Sequence, residues 1–228
     1  MFSFGRFQGQ SNLDLVQYLK RAGIVKSDGV FDAMSKVDRA KYVRTSDAYM
    51  DAPQSIGHGA TISAPHMHAY ALEYLEGRLR PGARALDVGS GSGYLTSCMA
   101  LMVGDEGVVV GIEHVPQLQE TARKNIESDQ PNLVRNGRIL LVVGDGRVGY
   151  PAKAPYDAIH VGAAAAEEPE ELVKQLAPGG RMIVPIGLKN CDQTLVQIDK
   201  TADNKVIKTP LMGVVYVPLT DKEKQTKS

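Results

Sequence analysis

Apolar residues gather along the middle of the chain into short runs at 83–88, 108–112, 139–143, 158–161 and 182–186, most of them rich in β-branched side chains. Between most of them the spacing predicts helices near 94–103, 116–128 and 168–177. Continuous apolar runs of strand length are what a sheet buried on both faces requires, and helical crossovers make its strands parallel. The pattern therefore predicts an α/β fold with a doubly wound, mostly parallel sheet.

The two flanks read differently. Upstream, Ser11 with Asp14 three residues later suggests the cap of a helix carrying Leu13, Val16, Tyr18 and Leu19, and a second helix spans about 27–37. A Gly- and Pro-bearing stretch at 49–63 reads as irregular and is long enough to be functional. Pro65 suits the first turn of a helix running through Tyr70, Leu72 and Leu75, with Met67 and Tyr70 read as core. Downstream, strands at 194–198, 206–208 and 214–217, with a turn at Asp203-Asn204, predict a terminal antiparallel addition. The charged tail from Asp221 is expected to fray. With no internal repeat or linker, 1–228 is read as one domain: an N-terminal segment 1–80, a core 81–190, and antiparallel strands and tail over 191–228.

Composition narrows the classes. The chain has 228 residues, 43% of them hydrophobic, ample for a real core. Its 26 basic and 26 acidic residues balance, so no global field draws nucleic acid or anionic membrane. No apolar run reaches membrane-spanning length, and the opening Met1-Phe2-Ser3-Phe4-Gly5-Arg6-Phe7 lacks the unbroken apolar core of a signal peptide. A cytoplasmic protein, monomeric by default, is expected. Cys98 and Cys191 are too few for a disulfide framework and read as buried or incidental thiols in a reducing cytosol.

Chemistry first shows where the first core strand ends. Asp87-Val88-Gly89-Ser90-Gly91-Ser92-Gly93 is a strand running into a glycine turn, and such glycines let a nucleotide-like ligand approach the backbone. A dinucleotide site wants Gly or Ala at position 94, which is Tyr94, and this counts against hydride transfer. Glu113 closes the second strand, 26 residues after Asp87, where a carboxylate can accept from both ribose hydroxyls; alone, it could be a solvated strand end. His114 beside it could touch the ligand through ring or backbone. Gly144-Asp145-Gly146 ends the third strand, with Asp145 placed for an exocyclic adenine amine and Gly146 leaving space for the ring; the plainer alternative is an Asp-Gly turn. Leu176-Ala177-Pro178-Gly179-Gly180-Arg181 is expected to end a helix and turn into the fifth strand. A GxGxG turn joined to an LxPGG turn is the pattern of class I S-adenosylmethionine-dependent methyltransferases.

Several segments are more specific. Asp51-Ala52-Pro53-Gln54-Ser55-Ile56-Gly57, Thr61-Ile62-Ser63-Ala64-Pro65-His66-Met67-His68, the glycine turn, Gly144-Asp145-Gly146-Arg147, Asp157-Ala158-Ile159-His160-Val161-Gly162-Ala163 and Tyr216-Val217-Pro218-Leu219-Thr220 resemble the protein-L-isoaspartate (D-aspartate) O-methyltransferases, over about residues 12–225. The resemblance implies a Rossmann-like sheet of seven strands, S-adenosyl-L-methionine as cofactor with S-adenosyl-L-homocysteine as product, and isoaspartyl residues of damaged proteins and peptides as substrate. It puts the active-site serine at Ser63. Ala60, Thr61, Ile62, Ser63 and His68 fall on the substrate and cofactor pocket. Asp87, Gly89, Ser90, Gly91, Ser92, Glu113, His114, Asp145 and Gly146 fall on cofactor positions, as do Thr220 and Gln225 near the C-terminus. The first ten residues and Ala166-Glu167-Glu168 depart from the family's pattern and bear on peptide preference rather than on the reaction.

The implied acceptor is a carboxylate with a reference pKa of about 3.5, already ionised, so no general base is needed. Alignment, proximity and exclusion of water remain. Ser63, just ahead of the helix at Pro65, could hold the acceptor together with free backbone N–H groups of that helix, or could be an ordinary helix cap. A metal site is not expected. His66 and His68 point to different sides of a helix, and His58 and His160 lack a partner at ligand spacing. Asn136-Gly137 favours succinimide formation, which would make the chain a substrate for itself. Competing readings are another class I methyltransferase acting on a small molecule or nucleic acid, a hydride-transfer enzyme, and a non-catalytic cofactor-binding or damage-recognition module.

Overall fold

The computed structural model describes residues 9–188 and 191–221. Two helices open it, α1 (Asn12–Arg21) and α2 (Asp28–Lys36). Their starts follow from local hydrogen bonding. The Ser11 hydroxyl accepts from the Asp14 N–H and that of Ser27 from the Val30 N–H, satisfying donors that the first helical turn leaves free. The stretch 49–63 is not wholly irregular. It contains an antiparallel hairpin, β1 (Gln54–Gly57) and β2 (Ala60–Ile62), turned at His58 and Gly59, both with positive φ. Helix α3 (Pro65–Leu75) follows, and Glu73 on it accepts from the N–H groups of Lys26 and Ser27, tying it to the start of α2.

The remaining elements are β3 (Arg84–Val88), α4 (Tyr94–Met102), β4 (Val108–Glu113), α5 (Pro116–Asp129), α6 (Pro131–Arg135), β5 (Ile139–Val143), β6 (Tyr156–Val161), α7 (Glu170–Lys174), β7 (Leu176–Ile186), β8 (Gln193–Lys200) and β9 (Val206–Val214). They build a seven-stranded sheet in the order β5-β4-β3-β6-β7-β8-β9. Its first five members are mutually parallel, and β8 and β9 add antiparallel to β7. The expected α/β class, parallel core and antiparallel addition are all present. Strand alternation splits the core: Ala85, Val109 and Ile183 pack on one side of the sheet with the early helices, while Leu86, Val88, Val110, Ile159 and Val184 pack on the other. Each wholly buried aliphatic side chain of this kind contributes about 1.5–3 kcal/mol.

Three boundaries differ from the sequence reading. Helix α7 is one short turn ending at Lys174, not a helix over 168–177. Pro178-Gly179-Gly180 does not lead from helix to sheet but lies inside β7 as an irregularity. Tyr156 pairs with Leu176 and Ala158 already with Arg181. Gly180 is required there, because a Cβ would sit 2.8 Å from the Tyr156 carbonyl oxygen and 2.9 Å from that of Ala177. Finally, β9 runs unbroken to Val214, so the separate strand expected at 214–217 does not form.

Strand order reverses at β3, with β4 on one side and β6 on the other. At such a switch point crossovers leave the sheet on opposite faces, opening a crevice at the carboxyl ends of the strands.

Candidate active site

The crevice is occupied by the glycine turn. After β3, Gly89 (φ 75), Gly91 (φ 51) and Gly93 (φ 84) all take left-handed backbone, which a side chain would strain. The turn is held to β4, since the N–H groups of Gly89 and Ser90 both donate to the Ile112 carbonyl. Two adjoining cavities lie over it. The outer one is lined by Ala60, Thr61, Gly89, Gly91, Ile112, Glu113, His114, Gly146, Gly162, Ala163, Val217, Pro218, Leu219 and Thr220. The inner one is lined by Thr61, Ile62, Ser63, His68, Asp87, Gly89, Ser90, Gly91, Ser92, Tyr94, Leu95, His160 and Gly162. Nearly every residue singled out from sequence borders one or both.

Glu113, 5% exposed, is oriented from two sides: Gly91 N–H donates to its Oε2 at 3.2 Å and Val115 N–H to its Oε1 at 3.0 Å. A carboxylate offers about four acceptor positions. It therefore retains capacity for a diol at the cavity wall, and its charge favours a cationic ligand. The donor set fits a nucleoside with a positively charged centre.

Two expectations need amendment. Asp145 borders neither cavity. Its carboxylate is bound by Arg147, from Nε to Oδ1 at 3.0 Å and Nη2 to Oδ2 at 2.6 Å, and Arg147 also reaches Asp221. These contacts hold the Asp145 pKa below the ordinary carboxylate range. Gly146 does line the outer cavity, but its missing side chain makes room for Val88, whose Cγ1 would lie 2.5 Å from an added Cβ. Gln225 lies outside the described residues. Among the described residues, no three or more His, Cys, Asp or Glu side chains could jointly hold a metal ion. Cys98 is buried and Cys191 exposed.

Ser63 lies one residue ahead of the true N-cap, Ala64, and makes no cap, so the helix-cap alternative does not hold. Nor does the helix start offer free backbone donors as expected. Pro65 has no N–H, His66 N–H donates to Asp51 Oδ1 at 3.0 Å, and Met67 N–H donates to the Ala64 carbonyl at 2.9 Å. Asp51 Oδ1 also lies 2.8 Å from His66 Nδ1. It has taken over the role that a cap would fill.

Beneath Ser63 lies Arg39, fully buried. Its Nη2 donates to the Ser63 carbonyl at 2.9 Å, its Nε donates to the Ala48 carbonyl at 3.0 Å, and its guanidinium carbon lies 5.7 Å from the Tyr94 ring centroid. Burial lowers its pKa to about 10, opposed by Tyr94 and Asp51. His68, buried against Tyr94 with ring centroids 5.0 Å apart, has its pKa pushed well below the usual histidine value by burial and then by Arg39. Its Nδ1 is buried without a partner at the edge of the inner cavity.

His160 finds a carboxylate partner across the sheet, not at ligand spacing along the chain. It stands opposite Asp87 in the β3–β6 register, and its Nδ1 lies 2.8 Å from Asp87 Oδ1, while Thr96 Oγ1 donates to Oδ2 at 2.6 Å. Both Asp87 oxygens are thus engaged inside the protein. Sequence reasoning missed His160, Tyr94 and Arg39. Only the register could have found the first, whereas a charged Arg39 reads as a surface residue.

A family model described as protein-L-isoaspartate(D-aspartate) O-methyltransferase matches residues 10–224. The chain belongs to that family. It is 49% identical over 220 residues to the protein-L-isoaspartate O-methyltransferase of Caenorhabditis elegans, covering 96% of this chain and 97% of the relative. It is 51% identical over 218 residues to protein-L-isoaspartate O-methyltransferase 1 of Arabidopsis thaliana, covering 95% and 94%. A crystal structure of the Plasmodium falciparum protein-L-isoaspartate O-methyltransferase, in complex with S-adenosyl-L-homocysteine, superposes with a TM-score of 0.86 at 40% identity, covering 93% of this chain and 99% of that one. Membership in the protein-L-isoaspartate methyltransferases selects among the readings left open by the motifs. The hydride-transfer and nucleic-acid alternatives fall away.

Proposed function

We propose that this chain transfers the methyl group of S-adenosyl-L-methionine to the free α-carboxylate of L-isoaspartyl, and also D-aspartyl, residues in damaged proteins and peptides. The methyl ester closes to a succinimide as the backbone nitrogen displaces methanol, and hydrolysis of the succinimide returns part of the chain to normal aspartate. The observation that carries the reading is the meeting of Ser63 with the glycine turn in one cavity, backed by the buried charge of Arg39. When bound, the cofactor supplies an electrophilic methyl on a positively charged sulfur.

The protein's own work is positional. Glu113 and the backbone of 89–91 would hold the nucleoside end, with the Glu113 carboxylate supplying negative charge toward a cation. His68, kept neutral by burial, adds no charge that would repel that cation. Ser63 aligns the acceptor oxygen, and Arg39 anchors the Ser63 backbone from below. The acceptor, with a pKa of about 3.5, arrives ionised, so no side chain has to remove a proton. Asp87 fixes the His160 ring at the wall of the inner cavity. Proximity of this kind can supply a large share of the rate enhancement.

Within the same proposal the enzyme is a cytosolic monomer of one domain. Of the three parts, 1–80 supplies the acceptor side through Ala60–Ser63, 81–190 the cofactor side through the glycine turn and Glu113, and 191–228 the antiparallel strands and tail, of which Val217–Thr220 border the outer cavity. Support comes from the origin of the wall: Ser63, Gly91 and Leu219 belong to the three parts and border the same pair of cavities. Among the described residues, no helix is long and apolar enough to cross a membrane.

Repair over many cycles tests the reading. An isoaspartyl peptide incubated with enzyme and S-adenosyl-L-methionine is expected to decline on chromatography while its aspartyl isomer accumulates. An isoaspartyl peptide that persists unchanged would contradict the proposal.

A further inference from the structure

Strand β1 runs antiparallel to β2, and the pair nearest Ser63 is Gln54 with Ile62. Continuing the count, Pro53 falls opposite Ser63. A proline has no N–H to give, so the ladder stops there and side chains take over. Arg39 Nη2 donates to the Ser63 carbonyl at 2.9 Å and reaches that of Ala52 at 3.5 Å. One step further, Asp51 Oδ1 accepts from the His66 N–H at 3.0 Å and lies 2.8 Å from His66 Nδ1. The stretch 51–54 is thereby tied to 62–66 by strand pairing, by Arg39 and by Asp51 in succession. Ser63 sits between the first tie and the last.

Asp51 is more than the helix start requires. A Ser, Thr, Asn or Asp at the N-cap would satisfy the first turn of α3 locally, yet that position is Ala64, which makes no side-chain cap. The acceptor comes instead from 15 residues away. Its side chain is only 3% exposed, and Oδ2 is buried with no hydrogen-bond partner. Burying a carboxylate with one oxygen unpaired is costly. What a distant carboxylate adds, and a local cap cannot, is a fixed spacing between the two segments.

That spacing bears on Ser63, which borders the inner cavity. Arg39 holds one atom of the serine, its carbonyl oxygen, and one anchor fixes position without direction. A second anchor at His66 fixes the direction of the chain between them. We infer that Asp51 is a positioning residue, which by gripping the first turn of α3 sets where the Ser63 hydroxyl meets the acceptor carboxylate. This rests on the methyl-transfer reading above.

Three variants separate placement from capping and from charge. Asp51→Ala removes the grip. Asp51→Asn keeps an oxygen at the same reach and removes the charge. Asp51→Ala with Ala64→Ser restores a cap but leaves the two segments untied. Wild-type enzyme must first methylate an isoaspartyl peptide; if it does not, the functional reading fails and not this inference.

With labelled methyl, Asp51→Ala is expected to lower kcat roughly ten- to hundredfold, the scale of a misplacement of about 1 Å. Peptide KM and S-adenosyl-L-homocysteine affinity by calorimetry should stay within about threefold, since binding is not what is lost. Asp51→Asn should return kcat to within about fivefold of wild type. Ala64→Ser should recover the Tm of Asp51→Ala without recovering its kcat. In a Ser63→Ala background, Asp51→Ala should cost little further, because it acts through the serine. Wild-type kcat in Asp51→Ala would overturn the proposal. So would kcat restored by Ala64→Ser, which would make Asp51 a cap alone, or a loss above tenfold in Asp51→Asn, which would make its charge the point. A loss of equal size with and without Ser63 would overturn it too.

Discussion

The Arg39 guanidinium donates to the Ser63 carbonyl at 2.9 Å while wholly shielded from water. All its hydrogen bonds among the described residues go to main-chain carbonyls, those of Ala48, Ala52 and Ser63, with none to a carboxylate. Burying a charge this way costs several kcal/mol, so the site is bought with stability. In return, two loop segments, one carrying Ala48 and Ala52 and the other Ser63, are fixed around one planar group.

Replacement of Arg39 by Met should leave those carbonyls without a donor. Each unsatisfied buried carbonyl costs about 1–3 kcal/mol. Urea unfolding should report a loss of about 3 kcal/mol, with peptide turnover falling more than tenfold because Ser63 is no longer held. Arg39→Lys should restore little, since an ammonium cannot span the three carbonyls as a planar fork does.

Glu113 governs the cofactor side. Glu113→Gln removes the charge and turns an amide NH2 toward the Gly91 or Val115 N–H that now donates to it. Affinity for S-adenosyl-L-homocysteine should drop about tenfold by calorimetry, or ~1.4 kcal/mol, with a smaller loss for methyl transfer at saturating cofactor. Unchanged affinity would remove Glu113 from the cofactor contacts.

His68 makes stability fall with acid. Its folded pKa lies well below the ordinary value of 6.5, chiefly through burial and then through Arg39, His160 and His66. Below pH 6.5 the unfolded chain takes up a proton that the folded chain refuses, so unfolding gains ground as pH drops. The expected contribution is a slope of about 1.4 kcal/mol per pH unit from 6.5 downward, until the lowered folded pKa is reached. His68→Asn should flatten the stability curve between pH 6.5 and 5 by that one-proton slope; equal slopes in both proteins would show that His68 titrates normally.

Asn136-Gly137 is exposed at the end of α6, yet the Gly137 N–H donates to the Val134 carbonyl at 3.1 Å. Succinimide closure needs that nitrogen as nucleophile. The folded enzyme should therefore accumulate isoaspartate at 136 several-fold more slowly than a free peptide of the same sequence, and any base-labile self-methylation should disappear in Asn136→Ala. Peptide mapping of aged protein measures both.

Much of this was legible because the responsible forces are local. Ser11 and Ser27 cap where short-range hydrogen bonding says they should. The buried runs became parallel strands with boundaries shifted by at most two residues, except β7, which begins six residues early, and the glycines of 89, 91 and 93 mark left-handed turns that a side chain would strain. What escaped depends on distant parts of the chain. The β1–β2 hairpin has only three or four residues per strand, too few for a periodic signal. Pro178-Gly179-Gly180 reads as a terminator but sits inside β7, bracketed by pairing with β6 at Leu176 and again from Arg181, where β8 joins. The Asp87–His160 bond follows from strand register, and the backbone of Tyr216 is fixed by Gln193, distant in the chain.

The most direct test follows labelled methyl from S-adenosyl-L-methionine onto a synthetic isoaspartyl peptide and its normal aspartyl twin, with wild-type and Ser63→Ala enzymes. Label on the isoaspartyl peptide alone, released as methanol in mild base and strongly reduced in Ser63→Ala, is the predicted result. Label on both peptides alike, or base-stable label, or none with S-adenosyl-L-homocysteine still bound, would contradict the account.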